Sequence, residues 1–255
     1  MFYLRLTLGL LAFVVASVYG VAIALLRRDK SRVASDYAHV LARLQQPPLG
    51  IRTTVTGEHN LHDHRPCIFV GNHQSILDVP ILGQVFAPGS VVIAKKELRK
   101  IPFFGWLYAV TGNILIDRAD NTSAVGRLKE AEEALTERRV AVWIFPEGTR
   151  GSETGRMLPF KKGAFYMGIA TGAPLVPVVV SPLKPGLDIG ARRLRPTHVE
   201  VRVLDPIPTA GLTEDDLPAL MRETRRRMAA ALAEMSAARG LPVHADDTEV
   251  ESEAA

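Results

Sequence analysis

An uncharged, proline-free run near the N-terminus constrains the fold of this chain most strongly. It extends from Leu6 to Leu26 and reads LTLGLLAFVVASVYGVAIALL, with Tyr3 and Tyr19 suited to a membrane interface. About twenty helical residues, each rising about 1.5 Å, cover ~30 Å, the thickness of a bilayer's hydrocarbon core. Basic residues follow the run at once: Arg27, Arg28, Lys30 and Arg32. The run predicts a membrane-anchoring helix within residues 1–32. By the positive-inside rule, the rest of the chain is expected on the cytoplasmic face of an inner or plasma membrane.

Two other interpretations of this run stay open. A cleaved signal peptide is one, because Ala22-Ile23-Ala24 resembles a cleavage site. The apolar run is long for such a peptide, however, and its charges follow it instead of preceding it. A buried core helix is the other. As a membrane anchor, the run allows either a helix that spans the bilayer or one that lies in a single leaflet.

The next segment, residues 33–50, is predicted as an amphipathic helix followed by a proline-rich linker. Between Ala34 and Gln46, apolar residues recur at helical spacing before Pro47-Pro48: Tyr37, Val40, Leu41 and Leu44. This spacing does not decide whether the helix lies on the membrane or packs on the rest of the protein.

From residue 51 to 240 the sequence alternates short apolar runs with helical stretches. The predicted strands are residues 67–71, 91–95, 113–117, 141–145, 175–180 and 199–204. The predicted helices are residues 75–86, 123–138, 162–171 and 214–235. This alternation predicts an α/β domain with a mostly parallel central sheet flanked by helices. The 255 residues, 47% of them hydrophobic, suffice for a substantial core.

Charge is unevenly distributed along the chain. The net charge is +4, yet His244 to Ala255 contains five acidic residues and no lysine or arginine, so the remainder is more basic. Residues 241–255 are predicted to form an acidic disordered tail. A basic body suits anionic partners such as nucleic acid, phosphorylated metabolites or an anionic membrane surface. No RNA- or DNA-binding motif accompanies it, which disfavours nucleic acid.

The segment GNHQSILD, from Gly71 to Asp78, follows a predicted buried strand, where ligands of such sheets bind. His73 and Asp78 are five residues apart, about 140° around an ideal helix, so His73 must precede the helix for the side chains to meet. The aspartate can then hold one ring nitrogen and leave the other free as a base. The alternative is an ordinary turn histidine beside a capping Asn72.

Other segments carry charge at predicted strand ends. In FPEGTR, Pro146 ends a strand, Gly148 allows a close backbone approach and Arg150 matches a phosphate, although Glu147 and Arg150 could simply pair in a turn. Lys95 and the pair Asp117-Arg118 end two further strands. Basic groups beside a histidine turn predict a site for an anionic substrate.

The aromatic segment IPFFGWLY, residues 101–108, is predicted to line an acyl-chain groove or enter a membrane interface, and a core helix fits its composition equally.

The histidine-rich strip from Glu58 to His64 fits no standard set of metal ligands, so no metal site is expected. The single cysteine, Cys67, excludes an internal disulfide framework. The fingerprints of dinucleotide, P-loop and nucleophile-elbow sites are also absent.

Four segments in this order resemble the 1-acyl-sn-glycerol-3-phosphate (lysophosphatidic acid) acyltransferases: GNHQSILD, KKELRKIPFFGWLYAVTGNILIDR, FPEGTR and APLVPVVV. The resemblance extends from about Gly57 to Pro182. It implies a glycerolipid-acyltransferase fold and transfer of a fatty acyl group from a thioester to the sn-2 hydroxyl of 1-acyl-sn-glycerol 3-phosphate, which gives phosphatidic acid. The implied partners are membrane phospholipids, lysophosphatidic acid and an acyl-CoA or acyl-carrier-protein co-substrate, with no metal, organic cofactor or nucleic acid.

The resemblance also implies residue roles. His73 is then the general base and Asp78 orients it. The remaining roles fall into three groups: Arg150, Lys95 and Arg118 at the acceptor's phosphate; Glu147, Gly148 and Thr149 near the glycerol and the reacting carbonyl; and Phe103, Phe104, Trp106 and Val176 on the acyl-chain or membrane face. The alternatives are the same chemistry on glycerol 3-phosphate, another lysophospholipid or an amino-acid lipid, and a catalytically inactive lipid-binding protein. An inactive protein would be expected to have lost His73 or Asp78.

Overall fold

A seven-stranded sheet in the order β1-β9-β6-β2-β5-β3-β4 forms the centre of the protein. The computed structural model describes residues 1–28, 30, 32–101, 103–116, 131–151 and 153–244. The strands are β1 Ile51–Thr56, β2 Ile68–Gly71, β3 Ser90–Lys95, β4 Ile114–Ile116, β5 Ala141–Ile144, β6 Leu175–Val180 and β9 Thr197–Val203. Within this sheet β6 pairs with β9 in the antiparallel sense and the other neighbours pair in parallel, which confirms the predicted mostly parallel sheet.

Helices cover both faces of the sheet. In the described part of the chain they include α1 Phe2–Leu26, α2 Val33–Leu49, α3 Asp78–Leu82, α4 Phe104–Val110, α5 Gly163–Thr171 and α6 Leu217–Ala237. Single 3-10 turns occur at Glu58–Leu61, Gly83–Val85, Lys96–Lys100 and Glu214–Asp216, and β7 Leu187–Asp188 pairs with β8 Arg193–Leu194 in a separate hairpin. Of the predicted helix at residues 123–138, residues 123–130 lie outside the described part, and residues 131–136 are helical.

Successive side chains of β2 enter different cores, as the two-residue period of a strand requires. Ile68 and Val70 pack with residues of α5 and α6 on one face of the sheet. Phe69 packs with residues of α2 and α3 on the other face. Because every residue of β2 and β6 is buried, the sequence of these strands is uniformly apolar instead of alternating.

Small side chains allow α1 to pack closely against α2. Gly9, Ala16, Gly20 and Ala24 are buried, and a Cβ atom on Gly20 would lie 2.5 Å from Leu107 Cδ2 of α4. The opposite face of α1 exposes an apolar stripe: Leu4, Leu8, Leu11, Val15, Val18 and Leu25. In the described part of the chain, α1 alone has the length and apolar character to cross a membrane.

The sequence predicted that helix α2 would stop before the proline pair, but the helix continues through it. Pro47 and Pro48 lie in its final turn, where the φ angle fixed by proline is compatible with a helix. Gly50, at φ 76°, then ends the helix, and its N–H bonds the carbonyl of Gln46. The buried Gln46 amide donates to the Pro80 carbonyl at 2.7 Å. Helix α2 therefore packs on the body of the protein.

Candidate active site

The turns after two neighbouring parallel strands form the centre of the candidate site. His73 follows β2 and Glu147 follows β5, and β2 pairs with β5 in parallel. Because the carboxyl ends of parallel strands lie at one edge of the sheet, the two turns meet there. Phe145 of the second turn stacks on the His73 ring, with ring centroids 4.2 Å apart and an interplanar angle of 19°.

Asp78 holds the imidazole of His73 at Nδ1. The Nδ1 and Asp78 Oδ2 atoms are 2.7 Å apart, and α3 begins at Asp78, so His73 lies in the preceding turn as the spacing predicted. The same oxygen accepts the backbone N–H groups of Gln74 at 2.8 Å and Ser75 at 2.9 Å. Asp78 is fully buried, whereas the His73 side chain is 20% exposed. A carboxylate at Nδ1 places the ring proton there and leaves Nε2 as the basic nitrogen.

Asn72 and Gln74 attach the histidine turn to β6. The Asn72 amide donates to the Val180 carbonyl at 3.0 Å, and its oxygen accepts the Val180 N–H at 2.8 Å. Gln74 also donates to the Val180 carbonyl, at 2.9 Å, and accepts the Leu183 N–H at 3.2 Å. Asn72 therefore bridges strands and does not cap α3, which differs from the alternative interpretation of this segment.

Glu147 is buried and supports the backbone of the site. Its Oε1 accepts the His73 N–H at 2.7 Å, and its Oε2 accepts the Leu158 N–H at 2.8 Å. Burial raises the pKa of Glu147 to about 7, although these two hydrogen bonds and the positive charge of Arg225 act in the opposite direction. The carboxylate oxygens thus bind backbone groups and do not pair with Arg150, which is exposed.

An apolar cavity of about 340 Å³ opens beside His73. His73, Asp78, Phe145, Thr149 and Arg150 border it. Its apolar walls come from α2, α4 and the region around α3, and include Tyr37, Ala38, Leu41, Leu82, Phe86, Phe104 and Leu107. A cavity of this size and character suits a hydrocarbon chain. The wall contributed by α2 was not predicted, because periodicity alone does not show where a helix packs.

A second cavity, of about 370 Å³, lies on the other side of Arg150 and is more polar. Gln74, Ser75, Lys184 and Asp188 line it, and it shares Ile76 and Arg150 with the apolar cavity. Arg150 therefore stands between an apolar and a polar compartment, where a guanidinium can bind an anionic group.

The four residues predicted for the acyl-chain or membrane face occupy three different environments. Phe104 lines the apolar cavity, whereas Phe103 and Trp106 are exposed on the surface. Val176 is fully buried in β6, within the core on the α2 side of the sheet. Val176 is not among the residues that line the cavity.

Lys161 lies against the FPEGTR turn, a placement that was not predicted from the sequence. Gly148 has a φ of 68°, and a Cβ atom there would lie 2.9 Å from Lys161 Nζ, so glycine lets the lysine approach the turn. The Lys161 N–H donates to the Pro146 carbonyl at 2.8 Å. Only the KKG run before α5 hinted at this placement. The Lys95 side chain and Arg118 lie outside the described residues, although the backbone of Lys95 ends β3.

Within the described residues, no three His, Cys, Asp or Glu side chains form a group that could hold a metal ion. This includes the histidine-rich strip from Glu58 to His64.

The fold and the site together define a class of protein. Residues 52–181 match the family model described as Acyltransferase. The chain belongs to the acyltransferase family and is an enzyme of that class.

Relatives narrow this placement. The chain is 36% identical over 239 residues to "1-acyl-sn-glycerol-3-phosphate acyltransferase" of Saccharomyces cerevisiae, covering 92% of this chain and 78% of the relative. It is 32% identical over 235 residues to the Escherichia coli protein of the same name, covering 92% and 94%. The crystal structure of 1-acyl-sn-glycerophosphate (LPA) acyltransferase from Thermotoga maritima is similar, with a TM-score of 0.74, 27% identity and coverage of 93% and 98%. These matches confirm the resemblance inferred from the sequence.

Proposed function

We propose that the protein transfers a fatty acyl group from a thioester to the sn-2 hydroxyl of 1-acyl-sn-glycerol 3-phosphate, producing phosphatidic acid for phospholipid biosynthesis. The observation that carries this proposal is the opening of the His73–Asp78 pair onto an apolar cavity that Arg150 also borders. A base, a compartment for a hydrocarbon chain and a phosphate-matching cation thus lie at one edge of the sheet. The names of the similar proteins support the same acceptor.

In this mechanism His73 Nε2 removes the proton of the acceptor hydroxyl as its oxygen attacks the thioester carbonyl carbon. Asp78 fixes the ring at Nδ1 and stabilises the imidazolium. The tetrahedral intermediate collapses when the carbon–sulfur bond breaks. The imidazolium then returns its proton to the departing thiolate, so the enzyme ends in its starting state without a metal or organic cofactor.

Direct transfer, without an acyl-enzyme, fits the nucleophiles near the site. Ser75 Oγ accepts the Leu77 N–H at 3.2 Å, and the hydrogen bond of the His73 ring that the structure describes goes to Asp78. Cys67 is buried, and burial raises the pKa of its thiol to about 12, so it is not an activated nucleophile.

The oxyanion of the intermediate needs hydrogen-bond donors. A backbone N–H near Gly148 is one candidate and the Lys95 ammonium is another. The Gly148 N–H, however, donates to the Phe145 carbonyl at 3.0 Å inside its own turn, and the Lys95 side chain lies outside the described residues. We therefore assign the oxyanion to Thr149, which follows in the same loop at the cavity edge. The acceptor's phosphate is assigned to Arg150 and Lys161, with Lys95 and Arg118 as further candidates.

Helix α1 is proposed to lie in one leaflet instead of crossing the bilayer. The Gln45 side chain of α2 donates to the Gly9 carbonyl at 3.1 Å near one end, and Arg27 pairs with Asp36 near the other. Because α1 is packed along α2, a spanning α1 would carry α2 and charged groups of the body into hydrocarbon, which is costly. The basic cluster at residues 27–32 suits the anionic surface of the cytoplasmic leaflet, which supports a cytoplasmic location of the body.

The proposed division of labour follows the domain boundaries expected from the sequence. Residues 1–32 hold the enzyme on membrane phospholipids, and the helix within residues 33–50 packs on the body and forms one wall of the apolar cavity. Residues 51–240 carry the residues proposed for catalysis, and the acidic tail spans residues 241–255. Most of that tail, residues 245–255, lies outside the described part. The acyl donor is a CoA or acyl-carrier-protein thioester.

An acceptor panel tests the substrate. The full-length protein in phospholipid vesicles would receive labelled palmitoyl thioester with 1-acyl-glycerol 3-phosphate, glycerol 3-phosphate or a neutral lysolipid, and the products would be separated by chromatography. Phosphatidic acid as the main product is expected. Preferred acylation of another acceptor would contradict the proposed substrate while keeping the chemistry. Absence of transfer to every acceptor would contradict both.

A further inference from the structure

Arg225 of α6 reaches a loop beside the active site, although it lies outside residues 52–181 that match the family model. Its Nη1 donates to the Leu158 carbonyl at 2.7 Å, and its Nη2 donates to the Met157 carbonyl at 3.0 Å. Its guanidinium carbon lies 5.3 Å from the centroid of the Phe160 ring, a cation–π distance. One side chain thus fixes two successive carbonyls of this loop.

Leu158, whose carbonyl binds Arg225, also forms a hydrogen bond to the active site through its N–H group. The Leu158 N–H donates to Glu147 Oε2 at 2.8 Å, and Glu147 Oε1 accepts the His73 N–H at 2.7 Å. The hydrogen bonds therefore run from Arg225 through Leu158 and Glu147 to the backbone of His73. Hydrogen bonds to ionised groups are shorter and stronger than neutral ones, and Arg225 and Glu147 supply such groups along this route.

We infer that Arg225 is a positioning residue for acyl transfer: it holds the loop at residues 157–158 against Glu147 and thereby fixes the place of His73. The inference rests on the proposed function, because His73 is taken as the base. This positioning role requires that Glu147 remain a carboxylate. Both of its oxygens accept backbone N–H groups, and protonation would place a hydrogen on one of them and weaken its hydrogen bond.

The charge of Arg225 also favours the carboxylate of Glu147. Burial and the nearby Asp78 raise the pKa of Glu147, whereas the N–H groups of His73 and Leu158 and the charge of Arg225 lower it. Loss of Arg225 would therefore move the protonation of Glu147 to higher pH and weaken the support of His73. A displacement of about 1 Å at a catalytic group can cost roughly 10²-fold in rate.

Neighbouring arginines of α6 provide matched comparisons. Arg226 and Arg227 pair with Glu223 of the same helix at 2.8 Å and 2.7 Å, on its outer side. Arg222 is exposed, whereas Arg225 is partly buried. All four arginines belong to one helix, and the contacts of Arg225 with the loop separate it from the other three.

The test compares Arg225→Met with the control Arg222→Met, using full-length protein in vesicles. Methionine retains an apolar side chain on Phe160 but removes both donors and the charge. We expect kcat to fall about tenfold or more with the acceptor KM within about twofold, and the acidic limb of the kcat profile to move to higher pH. Arg222→Met is expected to match the wild type. Arg225→Lys, which keeps the charge, is expected to retain the wild-type acidic limb with an intermediate kcat.

Hydrogen–deuterium exchange supplies a readout that does not depend on the substrate. Faster exchange of the amides of His73 and Leu158 in Arg225→Met than in Arg222→Met is expected. The inference is overturned if Arg225→Met has wild-type exchange at these amides, or if its lower rate reflects only a smaller folded fraction with an unchanged pH profile. If Arg225→Met does not fold, Arg225→Gln is judged by the same criteria. Because exchange is measured without acyl transfer, failure of the proposed substrate remains distinguishable.

Discussion

His73 Nδ1 and Asp78 Oδ2 lie 2.7 Å apart at the start of α3, with the carboxyl group fully buried. The same Asp78 oxygen accepts two backbone N–H groups, so the turn that carries His73 is built around the carboxylate that holds its ring. The orientation of the His73 ring and the local fold of its turn therefore depend on a single carboxylate.

Replacement of this carboxylate tests its orienting role. Asp78→Asn preserves size but removes the charge that holds the Nδ1 proton, so the competing imidazole tautomer becomes accessible. We expect kcat to fall by roughly 10³-fold or more, with a smaller change in KM. Initial rates of acyl transfer measure this effect, and Asp63→Asn, at an exposed position, is the control. A loss below about fivefold would contradict the orienting role.

Glu147 gives the protein a pH dependence of stability. The carboxyl pKa is 4.5 in the unfolded reference and about 7 in the folded protein, so between these pH values the folded state binds a proton that the unfolded state does not. This group's contribution to the free energy of unfolding therefore falls as pH rises from about 4.5 to 7, by about 3 kcal/mol.

The variant Glu147→Gln cannot titrate and should lose this dependence. Chemical unfolding of both proteins at pH 5 and pH 8 measures it: the stability of the variant relative to the wild type is expected to improve at the higher pH. A constant difference between the two proteins across this range would show that the pKa of Glu147 is not raised.

The apolar cavity should limit the length of the acyl chain. Ala38 of α2 lines it, so Ala38→Leu is expected to fill part of the volume and exclude the end of a long chain. Each methylene that loses its buried place costs about 0.8 kcal/mol. Displacement of about two methylenes of the long chain should therefore raise the rate ratio of 12-carbon to 18-carbon thioesters about tenfold. Competition between the two donors measures this ratio. An unchanged ratio, equal to that of the exposed control Leu44→Phe, would place the chain elsewhere.

Close packing of α1 depends on its glycines. In Gly20→Val, the added Cβ would lie 2.5 Å from Leu107 Cδ2 and 2.8 Å from Tyr37 Cδ2, which forces the helices apart. The expected cost is about 1–3 kcal/mol, visible as a lower midpoint of thermal unfolding. Val14→Leu, on the exposed face, should leave the midpoint unchanged in detergent. Equal midpoints for both variants would show that α1 is not docked on α2 and α4.

Local sequence features were sufficient to predict several parts of this structure. Strand β6 occupies the predicted residues 175–180 because its uniformly apolar sequence matches a strand buried on both faces. The spacing of His73 and Asp78 correctly required a turn before the helix. Strand β1 was missed because IRTTVT is a half-exposed edge strand with only two strongly apolar residues.

Long-range contacts determine what the sequence could not predict. Glu147 supports His73 through a hydrogen bond across 74 residues, and Arg225 reaches Leu158 across 67 residues, so no local pattern indicates either contact. The placement of α2 against the cavity depends likewise on packing with α1, α3 and α4. The roles proposed for Lys95 and Arg118 remain predictions.

The rate of acyl transfer by His73→Ala shows whether His73 is the general base. The full-length variant and the exposed control His62→Ala would be assayed in vesicles with the thioester and 1-acyl-glycerol 3-phosphate, after circular dichroism has shown that both are folded. A loss of kcat of at least roughly 10²-fold is expected for His73→Ala, and none for His62→Ala. Equal rates for the two variants would contradict the assignment of His73 as the base.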